Sequence, residues 1–304
     1  MDRATLRSRV ARRLEAEELD DEAIKLLACG SPLDLMCSAC ARPHRIEQAC
    51  RRRWCPVCEH QRAAQVTDLY RPLIHAMRWP LFLTLTMSHT ASSGIAEDLK
   101  AIRDGWQRLR RLQWFRRRVA GGVGAIEVAM PEEHGHNGAH PHIHALLDCR
   151  WLSVSTPAPR PAAGKRELDR LHKASQAEIA AQWAMCLRAE RAGIYTRRAD
   201  RDTVSEVLKY SVSSAALLNS ALPLEPLITA LKGRKGVMPF GTIRKALKVV
   251  RAERDAAKKP LICECGCESW CLDPSASQRT NTLAGQWLEK KGAYAKFVPW
   301  PTEP

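Results

Sequence analysis

No apolar run in this sequence approaches the roughly 20 residues a membrane-spanning helix needs, so the chain is not expected to cross a bilayer. Its start, MDRATLRSRVARRLEAEELDDEA, lacks the apolar core of a secretory signal. It is charged and amphipathic instead, and the protein is expected to stay in the cytoplasm. Thiols are kept reduced there, which argues against disulfides and turns the 12 cysteines towards metal. Acidic residues are also short, with 33 Asp and Glu against 48 Lys and Arg. The resulting net charge of +15 points to a polyanionic partner, and with membranes set aside that partner is nucleic acid. Tyrosine is scarcer still, at four residues in 304.

The cysteines are clustered. Cys29, Cys37, Cys40, Cys50, Cys55 and Cys58 lie in the first sixty residues, and Cys263, Cys265, Cys267 and Cys271 near the end. Cys149 and Cys186 stand alone and read as packing residues. Cys37-x-x-Cys40 and Cys55-x-x-Cys58 have the spacing of zinc knuckles, and each offers two thiolates to close a tetrahedron with the other. The expected Zn²⁺ ligands are therefore Cys37, Cys40, Cys55 and Cys58. Cys29, His44 and Cys50 are left over, so a second ion has donors available. The tail CECGCESWC is a weaker case, since thiols that close together need a sharply folded loop.

Beyond the cysteines, a helix is expected around EHQRAAQVTDLYRPLIHAM, then a strand over Leu81 to Met87. From Ser93 to Val119, Ile95, Leu99, Ile102, Trp106, Leu109 and Leu112 recur at helical spacing. GGVGAIEVAM gives a second strand, which the polar loop PEEHGHNG returns into a third, His140 to Asp148. A Pro/Ala-rich loop, Pro157 to Lys165, reads as mobile. A long helix over Arg166 to Arg191 then turns Leu168, Leu171, Ile179, Trp183 and Leu187 inward. GIYTRR is a fourth strand, and TVSEVLKYSVSSAALLN a further helix. Strand, helix, strand, strand, helix, strand is the split βαβ, ferredoxin-like pattern: an α+β fold with an antiparallel sheet and helices packed on one face. In it the first and third strands are central and adjacent.

The third strand reads HPHIHALLD. Alternate side chains of a strand share a face, so His140, His142 and His144 project to one side. His142 and His144 are good geometry for gripping a metal ion, and the second strand brings Glu127 close as an oxygen donor. Two histidines and one carboxylate leave coordination positions open, which suits catalysis more than architecture. Such a divalent ion could polarise a phosphoryl oxygen of the expected partner.

A nucleophile remains to be found. Tyr70 and Tyr294 lie outside the predicted sheet, and Tyr195 is on a strand with no acid or metal motif beside it. Tyr210 sits in SEVLKYSVS, four residues after Glu206 and therefore on its helix face, with Lys209 flanking. Taken alone, this segment also fits an ordinary half-buried helical tyrosine. The run RLRRLQWFRRR offers Arg116, Arg117 and Arg118 to phosphates and Trp114 and Phe115 to bases, and fits a solvated helix face equally well.

Taken in order, FLTLTMSH, HPHIHALL and EVLKYSV resemble the three motifs of HUH endonucleases. More closely, they look like those of the single-tyrosine initiators of rolling-circle plasmid replication. The prelude CRRRWCPVCEHQRA is similar to that family's zinc-binding start, and LKGRKGVMPFGTIRKAL to its basic C-terminal part. The resemblance implies that His142, His144 and Glu127 hold Mg²⁺ or Mn²⁺. It implies that Tyr210 attacks a DNA phosphodiester, giving a 5′-phosphotyrosyl enzyme and a free 3′-OH that primes synthesis. Glu206 matches the acid that activates water to end a round, and His140 an outer position behind the ligands. Many members carry a lysine three residues after the tyrosine; here that position is Ser213, with Lys209 as the nearest cation. The implied partners are single-stranded or hairpin origin DNA and the host helicase and polymerase.

The expected organisation is an N-terminal amphipathic helix (1–28), a Cys-rich zinc module (29–62), the endonuclease domain (63–250) and a Cys-containing tail (251–304). Two other readings fit part of the pattern. One is an HUH-type transposase, some of which use two tyrosines, where this chain has Ser213 and Ser214 one turn on. The other is a non-catalytic, zinc-dependent DNA-binding regulator, which leaves Glu127 and the Glu206/Tyr210 pair as coincidences.

Overall fold

The structure is a computed structural model that describes residues 2–47, 49–87, 94–130, 139–200, 203–208, 214–220, 222–233, 236–257, 261–272 and 296–297. The chain opens with α1 (Arg3–Ala16) and α2 (Asp20–Leu27), followed by strands β1 (Pro32–Cys37) and β2 (Pro43–Glu47). The Asp2 carboxylate caps α1 by accepting from the amides of Ala4 and Thr5. Then come α3 (Pro56–His75), β3 (Pro80–Thr86), α4 (Ile95–Arg111), α5 (Gln113–Arg118), β4 (Gly121–Ala129) and β5 (His140–Asp148). The long helix α6 (Lys165–Leu187) leads to β6 (Ile194–Arg198) and three short helices, α7 (Thr203–Val207), α8 (Ser214–Asn219) and α9 (Leu224–Leu231). β7 (Val237–Phe240), α10 (Gly241–Ala256), β8 (Ser269–Leu272) and β9 (Lys296–Phe297) complete the described elements.

Two compact units result, one made of residues 1–61 and 252–304, the other of Arg62–Arg251. In the first, β8 returns to pair with β1, extending a sheet of order β2-β1-β8-β9 around Leu35, Cys37, Cys263 and Trp270. The second is an α+β fold on a five-stranded sheet of order β6-β3-β5-β4-β7, with every neighbouring pair antiparallel. β3 and β5, the first and third strands of the predicted pattern, are central and adjacent. β7 is an added edge strand, which its short, Pro-containing sequence did not announce.

One face of this sheet carries the main core. Leu83, Leu85, Ile143, Ala145 and Leu147 are buried there, as are Trp106 of α4 and Trp183 of α6. The layers meet closely only because glycine stands at two contacts. A Cβ on Gly124 of β4 would lie 3.1 Å from the Trp106 ring, and one on Gly105 of α4 would lie 3.0 Å from that of Trp183. Truncating either tryptophan to alanine would cost about 3–5 kcal/mol.

Three expectations change here. The helix predicted from Ser93 to Val119 breaks at Leu112, whose backbone is extended (φ −59°, ψ 138°). Nine residues separate Trp106 from Phe115, and at about 100° per residue an unbroken helix would put them on opposite sides. The break swings Phe115 back, edge-on to Trp106 with ring centroids 6.1 Å apart. In α6, Leu168 is 40 % exposed, whereas Leu171, Ile179, Trp183 and Leu187 are buried as expected. Nor are the helices confined to one face. Tyr70 and Ile74 of α3, Met77 just after it, Val204 and Val207 of α7, and Ile243 and Leu247 of α10 form a second cluster with Phe82, Val123 and Leu146 on the other face. Among the described residues, no helix is long and apolar enough to cross a membrane.

Candidate active site and metal centres

β5 shows how the second face is divided. His140, His142 and His144 are half-buried while Pro141, Ile143 and Ala145 are buried, the alternation expected of a strand. The alternation ends at Leu146, which is buried beneath the second cluster. The histidines thus lie where that cover stops. Register supplies their partners: Glu127 of β4 stands opposite His142, and Thr84 of β3 opposite His144. The Glu127 Oε2 atom is 3.3 Å from His142 Nε2 and 2.9 Å from His144 Nε2. The ligand atoms of all three residues lie within 4.8 Å of one another.

His144 is fixed from two other sides. Its Nδ1 is 3.1 Å from Thr84 Oγ1, and its ring stacks on Phe82 at 5.5 Å, with Arg197 on Phe82 in turn. A proton on Nδ1, donated to Thr84, leaves the Nε2 lone pair facing Glu127, the tautomer a metal ligand needs. Burial pushes the Glu127 carboxyl up, but hydrogen bonds and charge from the two histidines outweigh it and hold it down at about 2. A carboxylate oxygen facing two imidazole nitrogens at these distances needs protons or a cation between them. The donor set fits a hard or borderline divalent ion with further positions open. His140 stands apart, its Nε2 2.7 Å from the Met87 carbonyl oxygen.

The cysteines expected to share one ion are divided. Cys55 and Cys58 converge with Cys29 and Cys50, while Cys37 and Cys40 converge with Cys263 and Cys265. β1 and β2 carry the first knuckle away from the start of α3, which carries the second, and β8 delivers the tail to β1 instead. The tail's folded loop is made by Gly266 at φ +88°, a conformation glycine takes without strain. Cys50 and Cys58 sulfurs are 3.7 Å apart, and Cys37–Cys265 and Cys40–Cys263 are each 3.6 Å. That is far too long for a disulfide of about 2.05 Å. It is near the edge of about 3.8 Å expected for thiolates some 2.3 Å from one tetrahedral Zn²⁺. Hydrogen bonds from Cys29, Cys50 and Cys55 draw the Cys58 thiol far below its ordinary value, whereas Cys29 and its neighbours push Cys50 far up. A cation is what would let all four ionise together. His44 packs against Trp270 and joins neither group. Cys149 and Cys186 are buried.

The remaining candidates are scattered or out of view. Glu206 lies on α7, which ends at Val207, so the single helix expected through Asn219 is described only as α7 and α8. Lys209, Tyr210 and Ser213 lie outside the described residues. Arg116, Arg117 and Arg118 are exposed on α5, but Phe115 is 1 % exposed and cannot stack on a base. Tyr195 has no acid or metal motif beside it in sequence, yet it stands opposite Thr84, in one row with His144, and is 52 % exposed. Only strand pairing could have revealed that, since the two residues lie on β6 and β5.

Residues 44–150 match a family model described as Replication protein. The match takes in Cys50, Cys55, Cys58, Glu127, His142 and His144 and ends before Glu206 and Tyr210. No curated protein and no solved structure matches the chain.

Proposed function

We propose that this protein is a plasmid replication initiator that nicks one strand of its origin and stays attached to the DNA through a single tyrosine. The observation that carries the reading is the convergence of Glu127, His142 and His144 at the uncovered end of a sheet face, within the replication-protein match. Three ligands in a half-buried site suit a reaction better than a purely architectural ion, which weighs against the regulator reading.

A bound Mg²⁺ or Mn²⁺ would polarise a non-bridging oxygen of the scissile phosphate. Around it, the protein's own groups divide the work. Thr84 and Phe82 orient His144, and Glu127 stays ionised at neutral pH. Tyr210 supplies the nucleophile: its Oη–P bond forms as the P–O3′ bond breaks, its proton leaves to solvent, and the departing 3′ oxygen takes one up. A tyrosine hydroxyl ordinarily ionises near ~10, so it needs a nearby cation, the role we assign to the site ion and Lys209. At the end of a round Glu206 accepts a proton from water, whose oxygen attacks the phosphotyrosyl phosphorus and releases Tyr210. Arg116, Arg117 and Arg118 contact the DNA backbone, and both cysteine groups hold Zn²⁺ as architecture.

The test is incubation of the protein with supercoiled DNA carrying its own replicon, with Mn²⁺ or Mg²⁺ and with chelator. Open circles bearing protein on the 5′ end, formed only with the ion, are expected. Cleavage unaffected by His144→Ala, or no covalent protein at all, would sink the proposal.

A further inference from the structure

Away from the histidines, the end of α4, α5 and the start of α10 enclose a half-open cavity of about 570 Å³. Its wall carries four guanidinium groups, those of Arg110, Arg111, Arg116 and Arg244, and no carboxylate. None of the four takes part in an ion pair among the described residues. Arg110 is held in place by apolar neighbours, its guanidinium 5.3 Å from the Trp106 ring centroid and 5.1 Å from that of Phe240. Its Nε is buried with no hydrogen-bond partner among the described residues. Burial lowers its pKa, and the like charges of Arg111 and Arg244 lower it further. The 16-residue helix α10 also begins in this wall at Gly241, so the positive end of its dipole adds to the field.

Cations crowded together without acids repel one another, and a buried donor left unpaired is destabilising. An anion with several oxygens would relieve both. The cavity offers little to recognise a base, because Phe115 is buried beneath its surface and Gln107 is the one amide in its wall. We propose that it is a second phosphate-binding site, which takes a backbone phosphate of nucleic acid. It cannot hold the scissile phosphate. The lining residue Phe240 pairs with Gly122, five residues from Glu127 along β4, or about 17 Å at roughly 3.3 Å per residue. The anion site follows from the cavity alone; that the anion is DNA rests on the reading as an origin-nicking protein.

The test compares full-length wild-type protein with the Arg111→Glu/Arg244→Glu variant, both positions being exposed. Binding of a fluorescein-labelled DNA duplex is followed by anisotropy between 50 and 200 mM NaCl, probe conditions chosen because such contacts are salt-dependent. The variant should melt as wild type, bind at least about 10-fold more weakly at the low-salt end, and lose about 1–2 from the slope of log K against log salt. The milder Arg116→Gln/Arg244→Gln variant should move affinity and slope in the same direction if the reversal disturbs folding. Nicking of supercoiled DNA is scored in parallel for every variant, so failure of the nicking chemistry and failure of this site are read separately. Wild-type affinity and slope in both arginine variants would overturn the proposal. So would stabilisation of the wild type but not the variants by 1 mM ATP with DNA binding unchanged, an outcome that makes the cavity a nucleotide site.

Discussion

Glu127 and His142 are 15 residues apart on adjacent strands, whereas Cys37 and Cys265, which also face one another, are 228 residues apart. The first pair belongs to a site of nitrogen and oxygen donors at the open end of a sheet face, in the unit Arg62–Arg251. The second belongs to a closed set of four sulfurs that ties the return of the chain to its beginning. Three mixed donors with room for more are arranged for a ligand that must come and go. Four thiols beside the apolar cluster of Leu35, Cys37, Cys263 and Trp270 are arranged to stay shut.

The sharpest way to break this contrast is to remove the nucleophile proposed for the open site. Tyr210→Phe should reduce nicking by on the order of 10⁴-fold or more while zinc content and melting temperature stay unchanged. Next in size, His144→Ala should lower Mg²⁺- or Mn²⁺-dependent cleavage by more than the roughly 100-fold that loss of a ligand's supporting partner costs. Its zinc, measured by elemental analysis, should stay at two equivalents. The sulfur sites should answer in the opposite sense. Cys58→Ser and Cys263→Ser should each release one equivalent and, combined, both; a shared single loss would merge the two groups into one.

Much of the open site was legible because it is local. Alternation in HPHIH fixes a face by itself, and the polar loop between two apolar runs puts Glu127 on the neighbouring strand. The order of the four predicted strands followed from the same reasoning. What stayed hidden depended on distant contacts. Nothing near Leu112 breaks a helix; the demand comes from Phe115 packing on Trp106 and Phe240. The pairing of β1 with β8 reassigns Cys37 and Cys40, and cysteine spacing carries no information about which knuckles meet. Tyr195 reaches the site's face only through strand register.

Smaller effects sharpen the comparison within the Arg62–Arg251 unit. Glu206→Ala should leave nicking within a few-fold of wild type but slow release from the covalent state by at least about 10-fold, read as accumulated adduct in a chase. Smallest is a change remote from all three metal groups. Glu178 accepts from the amides of Val154 and Thr156 at 3.0 Å and from the amide and hydroxyl of Ser155, fastening the entry to the Pro/Ala-rich loop that reads as mobile. Burial pushes its carboxyl up, but these hydrogen bonds prevail and hold it at about 2, against an ordinary 4.5. A depressed value means stability present above about 4.5 and lost as the pH falls towards 2. Glu178→Gln should therefore melt a few degrees below wild type at neutral pH, with the gap closing over that window.

The most direct measurement identifies the residue that carries the DNA. After reaction with supercoiled DNA of its own replicon and Mn²⁺, the covalent complex is digested with protease and nuclease, and the nucleotide-bearing peptide is sequenced by mass spectrometry. The account predicts a 5′-phosphate ester on Tyr210, absent from Tyr210→Phe and retained in Tyr195→Phe. An ester on Tyr195, the exposed tyrosine in line with His144, or nicked DNA without any attached peptide, would contradict it.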